Sequence, residues 1–210
     1  MPSSLDRTAT AAVSRAALRH GDAELVRTAR SAAVGLHRRG TRLGDVAALL
    51  LPPGPSYVLG LVSLLTAGVA VAPLDPEGDP HAAADLLTEH DARLLVTAPS
   101  LARTAMEVTE ESRVRQIVSF GDLPGATPYA DLTDAGGPPE IDAGVAALIG
   151  PGLVLTQGEL AGLLDPAATV VGRYADGPVG QAVHVLRGLV GGTTLDLSVA
   201  GTVSRSRRSG

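Results

Sequence analysis

A chain of 210 residues can bury a sizeable core, and a composition of 45% hydrophobic and 19% charged residues belongs to a globular protein rather than a disordered one. A net charge of −5, with three tyrosines, one phenylalanine and no tryptophan, excludes a general nucleic-acid binder, which needs a basic surface and stacking platforms. The absence of cysteine excludes disulfide frameworks, thiol nucleophiles and thiolate metal sites.

Residues 5–19 carry small apolar residues at helical spacing and end at Gly21, a helix stop. Asp6, Arg7, Arg15 and Arg19 fall where a secretory leader would have its apolar run, so a cytoplasmic location is expected. Asp22 is placed to cap a second helix over 23–39, whose apolar stripe is Leu25, Ala29, Ala32, Ala33 and Leu36. Arg27, Arg30, Arg38 and Arg39 of that helix read as a solvated basic face.

No residue from 46 to 74 is charged, but Pro52, Pro53, Pro55 and Gly68 cut this stretch into strand, helix and strand, so no membrane span is expected. The strands fall at 45–51 and 69–73, and Ser56 is a candidate cap for the helix between them. Asp79 and Pro80 open the next helix, which ends near His90, and a strand follows at 93–97. Pro99 and Ser100 start a further helix, and 116–120 reads as a strand. Strands alternating with helices of this length imply βαβ units: an α/β fold with a mostly parallel sheet and helices on both faces.

Residues 121–141 are rich in Gly and Pro and read as a long loop between a first half, 1–120, and a second portion, 142–200, of one domain. In the second portion, strands at 145–149 and 153–155 flank a tight Gly150-Pro151-Gly152 turn, and Thr156 with Glu159 forms a capping box for a helix to Leu164. A strand near 169–172, a helix near 179–190 and a strand near 193–198 come next, and 201–210 reads as a disordered basic tail. His81 and His90 fit no metal-ligand spacing, and all five histidines read as surface or partly buried residues.

The run Leu64-Leu65-Thr66-Ala67-Gly68-Val69-Ala70-Val71-Ala72-Pro73-Leu74-Asp75-Pro76 resembles the second core motif of the adenylate-forming (AMP-binding) superfamily. That superfamily includes acyl-CoA synthetases, luciferases and nonribosomal peptide synthetase adenylation domains. Gly44-Asp45-Val46-Ala47, Leu51-Pro52-Pro53-Gly54-Pro55 and Arg93-Leu94-Leu95-Val96-Thr97 are similar to neighbouring segments of the same family. In this motif Asp75, between prolines, reads as a turn former rather than an acid or base.

The resemblance covers about residues 24–198 and implies the N-terminal subdomains of such an enzyme, less than half of a complete member. The family's next motif is a Ser/Thr/Gly-rich loop ending in Lys-Gly that wraps the ATP phosphates. Here Leu148-Ile149-Gly150-Pro151-Gly152-Leu153-Val154-Leu155-Thr156 stands in its place. All 17 basic residues are arginine, so no lysine ammonium is available either.

Ala175-Asp176-Gly177-Pro178-Val179-Gly180-Gln181 resembles the fourth motif, in which peptide-synthetase members hold the substrate's amino group with an Asp. Asp176 takes that place as the candidate substrate-binding residue; its other reading is a helix cap. Gln181 departs from the family's acid and Pro178 from its small hydroxyl residue.

The expectation is a non-catalytic adenylation-like protein acting as a binding or scaffolding partner, with no cofactor. The alternative is a cut-down AMP-forming ligase for an amino or carboxylic acid, helped by a partner chain and using ATP and magnesium. A shortened sheet would expose an apolar face, so self-association or a protein partner is expected.

Overall fold

Apolar runs alternate with helical segments along the chain, and the strands they form join in a single sheet. The computed structural model describes residues 8–19, 22–165, 167, 168 and 176–192. Helices α1 (Ala9–Arg19) and α2 (Ala23–Arg38) precede β1 (Val46–Leu49), α3 (Pro55–Thr66), β2 (Ala70–Pro73), α4 (Pro80–Glu89), β3 (Leu94–Thr97) and α5 (Ala102–Glu110). Then come β4 (Gln116–Ser119), β5 (Thr127–Pro128), β6 (Ala146–Gly150), β7 (Leu153–Thr156), α6 (Gln157–Leu163) and α7 (Gly177–Gly191). Among the described residues the strand order is β5-β4-β3-β1-β2-β6-β7. All neighbours are parallel except β6 and β7.

The α/β architecture with helices on both faces follows from central strands, β1, β2 and β6, that carry no polar side chain at any position. Ala47, Leu49, Val71, Leu94, Val96, Val118 and Leu148 point to one face, where they pack with Ala32 and Leu36 of α2, Leu61 and Leu65 of α3, and Val183 of α7. Ala48, Leu50, Ala70, Ala72, Leu95 and Ile149 point to the other, against Leu87 of α4 and Val108 of α5. A sheet covered on both faces needs apolar residues at both parities, which is why these strands do not alternate with polar residues. Leu36, Leu49, Leu61 and Leu65 are at most 1% exposed, and each such side chain contributes roughly 1.5–3 kcal/mol by burial.

Several local details differ from the sequence expectations. Gly54, not Ser56, holds the cap position of α3, because Pro55 takes the first helical position, where its fixed φ and missing N–H cost nothing. Helix α2 buries Ala29, Ala32, Ala33 and Leu36 as expected, and Val26 completes the stripe in place of Leu25, which stays half-buried. The 57–74 stretch divides as expected into α3, a turn at Gly68 (φ 69°) and β2. No described helix is long and apolar enough to cross a membrane.

The largest correction concerns 121–141, which is not a plain loop. It contains β5, the edge strand beside β4, and a 3₁₀ turn at Tyr129–Leu132. The Tyr129 ring stacks on Phe120 with centroids 4.1 Å apart, and its hydroxyl meets Ser63 Oγ of α3 at 2.6 Å. Helix α2 holds the next residues. Ser31 Oγ donates to the Asp134 carbonyl and accepts its N–H, both at 2.8 Å. Arg38 pairs with the Asp134 carboxylate, and Arg39 donates to the Asp131 carbonyl at 3.0 Å. The basic face of α2 is therefore solvated at Arg27 and Arg30 but structural at Arg38 and Arg39. The strands expected at 169–172 and 193–198 and the tail at 201–210 lie outside the described residues.

Candidate functional site

Ligands of open α/β sheets gather beyond the carboxyl ends of strands whose following loops depart to opposite faces. That condition is met at β1 and β2: the chain after β1 enters α3 on one face, and the chain after β2 enters α4 on the other. Strand β6 lies next to β2, so its end at Gly150 joins the same edge. At this edge Asp75 is a turn former, as its sequence setting suggests. Its Oδ1 accepts the Glu77 N–H at 2.9 Å and its carbonyl accepts the Gly78 N–H at 3.1 Å.

The turn at 150–152 has a definite geometry. Gly150 pairs with Leu153 across the antiparallel β6–β7 ladder, which leaves only Pro151 and Gly152 to reverse the chain. Proline at the first turn position and φ of +62° at the second are the signature of a type II turn. A phosphate cradle is built from several converging backbone N–H groups, usually with hydroxyls and a cation. Pro151 has no N–H, so the two turn residues present one, that of Gly152. The next hydroxyl along the chain, Thr156 Oγ1, lies opposite Ala146 at the far end of the ladder and is engaged in the capping box: it accepts from Glu159 N at 3.2 Å and donates to Glu159 Oε2 at 2.9 Å.

Helix α7 begins against this turn. A Cβ on Gly150 would lie 2.7 Å from Val179 Cγ2, so only glycine at the end of β6 lets the first turn of α7 pack this closely. Asp176 occupies the cap position of α7, but its carboxylate makes no capping hydrogen bond, contrary to the capping alternative. The side chain is exposed, with extended backbone (φ −114°, ψ 161°). Packing thus brings the Asp176 end of α7 to the strand end that carries the shortened turn.

Two residues near the hairpin went unnoticed in the sequence. Gln157, directly after β7, is fully buried, and its Oε1 accepts the backbone N–H of Thr10 at 3.4 Å. Thr10 in turn donates to the Leu65 carbonyl at 2.9 Å, tying α1 to the end of α3. Only the folded packing of α1 brings these positions together, and no spacing in the sequence marks them. Near the opposite end of α3, burial holds the Tyr57 phenol far above the usual tyrosine range, so it stays neutral.

Comparisons with known proteins agree with this architecture. The family model described as AMP-binding enzyme matches residues 5–150, ending at the first residue of the shortened turn. A plipastatin synthase polypeptide of Bacillus subtilis (strain 168) is 35% identical over 82 residues, which is 39% of this chain and 3% of that protein. Among solved structures, the luciferase-like enzyme of the mealworm Zophobas morio superposes with a TM-score of 0.72 at 14% identity, covering 92% of this chain and 55% of its own. A long-chain-fatty-acid-CoA ligase from Archaeoglobus fulgidus superposes with a TM-score of 0.67 at 18% identity, covering 76% of this chain and 38% of its own. The chain therefore spans only part of the length of each of these proteins.

Proposed function

Because the chain belongs to the AMP-binding enzyme family, we propose that it is an adenylation-like domain that does not form acyl-adenylates by itself and serves as a binding or scaffolding partner. The observation that carries this reading is the two-residue Pro151–Gly152 turn at the place of the phosphate-gripping loop. A single lost transition-state donor typically lowers a rate by ~10²- to 10³-fold, and here several donors are missing together. The residues at the turn do not fit ATP or its magnesium ion: one N–H, no hydroxyl within 150–153 and no lysine in the chain cannot replace a phosphate shell.

Calorimetric titration of the chain with ATP and AMP, paired with ¹H–¹⁵N resonances to locate any binding, tests the proposal. Binding weaker than roughly millimolar supports it, and micromolar binding whose resonance shifts centre on residues 148–153 and 176–179 would overturn it.

One observation favours a second reading, a cut-down AMP-forming ligase completed by a partner chain. The Asp176 carboxylate has no hydrogen bond or ion pair among the described residues, and it stands at the start of a helix seated on Gly150. An unengaged carboxylate suits the amino group of an amino acid substrate. ATP–pyrophosphate exchange with panels of amino and carboxylic acids, with and without candidate partner chains, decides between the readings. Exchange that Asp176→Asn abolishes supports the ligase, and silence throughout removes it.

A further inference from the structure

The opposite edge of the sheet, where the strands begin, holds an open cleft of about 590 Å³. It is lined by the turn before β1 (Gly40, Arg42, Gly44, Asp45) and the turn before β3 (His90, Asp91, Arg93). This cleft lies at the other end of the strands from the 150–152 turn. We propose that it binds a phosphate-type anion, as carried by a small phosphorylated molecule, chiefly through the guanidinium groups of Arg42 and Arg93.

Four features of the cleft support this assignment. The Asp45 carboxylate accepts the backbone N–H of Arg42 at 2.7 Å, so it fixes the turn and leaves the Arg42 guanidinium with no ion pair or hydrogen bond among the described residues. Arg93 is held in place: its Nη2 and Nε donate to Asp91 Oδ2 at 2.9 and 3.3 Å, while Arg113 takes Asp91 Oδ1 at 3.3 Å. One carboxylate thus faces two guanidinium groups; with Arg42 and Asp45 counted as well, three arginines stand against two aspartates in and beside the cleft, a surplus of one positive charge on a chain of net charge −5.

Gly40 (φ 99°) and Gly44 (φ 81°) have nothing within 4 Å of where a Cβ would stand, so the backbone at the cleft mouth is open to a ligand. Asp91, the single non-glycine residue with positive φ (49°) among the described residues, is the left-handed stop of α4, closed by its own N–H to the Thr88 carbonyl at 3.2 Å and the Ala92 N–H to the Leu87 carbonyl at 2.8 Å, and from there its carboxylate meets the two arginines. The paired arginines also keep its carboxyl below the usual aspartate range, so the clamp persists at neutral pH. Arginine forks match phosphate oxygens in a planar, bidentate way, and a phosphate offers three acceptor oxygens, where a carboxylate offers two.

The test is a titration of the full chain with inorganic phosphate and with pyrophosphate at constant ionic strength, followed by ¹H–¹⁵N resonances. The expected result is saturable shifts confined to residues 40–46 and 90–93, with affinity at least ~10-fold weaker in Arg42→Gln and unchanged in Arg27→Gln, a solvated arginine elsewhere. An unchanged unfolding midpoint in Arg42→Gln shows that the loss is one of binding. Absence of saturation below roughly 10 mM, or equal weakening in Arg27→Gln, would overturn the proposal. The same variant separates this cleft from the opposite edge, because ATP held through its phosphates here is lost in Arg42→Gln, whereas ATP held at the 150–152 turn is not.

Discussion

A Cβ at residue 35 would overlap the carbonyl group of Leu132, because α2 lies directly on the 3₁₀ turn at Tyr129–Leu132. Backbone cannot yield as a side-chain tip can, so Gly35→Ala is expected to destabilise the chain by about 1–3 kcal/mol. Gly162 makes the matched contrast. It sits exposed in α6 with nothing within 4 Å of a Cβ, and Gly162→Ala is expected to stabilise by about 0.4–1 kcal/mol through reduced freedom of the unfolded chain. Urea unfolding midpoints of the two variants should move in opposite directions. Neither position is distinguishable by local sequence, since both are glycines inside helices; the neighbour across the fold sets the sign.

Helices α4 and α5 share one face of the sheet and are joined at their ends by a titratable contact. His81 Nδ1 lies 2.5 Å from Glu111 Oε2, linking the first turn of α4 to the residue that caps α5. The hydrogen bond to Glu111 and its negative charge hold the His81 pKa above the ordinary histidine value. A raised folded-state value means that the contribution is fully present below the ordinary histidine pKa and is lost as pH rises through that of folded His81. His81→Gln is therefore expected to lower the urea midpoint at mildly acidic pH and to match the parent in alkaline buffer. A pH-independent difference between the two would show that the contact acts only by packing.

The capping devices at this scale were readable. Asp22, Asp79 and the Thr156–Glu159 box all accept the expected N–H groups, because a cap is a short-range geometry that a few adjacent residues determine. Asp176 shows the limit of such reading. It holds the cap position, yet its side chain makes no capping bond, because backbone position does not dictate a side-chain rotamer.

At the scale of the whole molecule, the exposed large hydrophobic residues among those described are Leu43, Met106 and Val154, in the turn before β1, on α5 and on β7. Among the described residues, then, no single open apolar face accounts for the expected self-association. The strand edge at β7 is a better basis. Its four residues carry no charge, Val154 is 48% exposed, and β6 is its one partner among the described residues, whereas the opposite edge ends in Pro128, which cannot donate to a ladder. Light scattering across micromolar concentrations is expected to show an average mass that rises with concentration, and Val154→Arg is expected to suppress the rise. A constant monomer mass in the parent would count against a self-associating scaffold.

By itself, the sequence determined the α/β class, the order of the main elements and the tight turn at Pro151–Gly152. Each of these is written in local patterns: apolar runs of strand length, helix caps, and a Pro-Gly pair between strands. Tertiary structure alone decided that the first turn of α7, through Val179, seats on Gly150, that Arg38 and Arg39 secure the 121–141 segment, and that the turns before β1 and β3 enclose a cleft lined by two arginines and two aspartates. Those arrangements join residues tens of positions apart, and no local spacing encodes which distant backbone a side chain will meet.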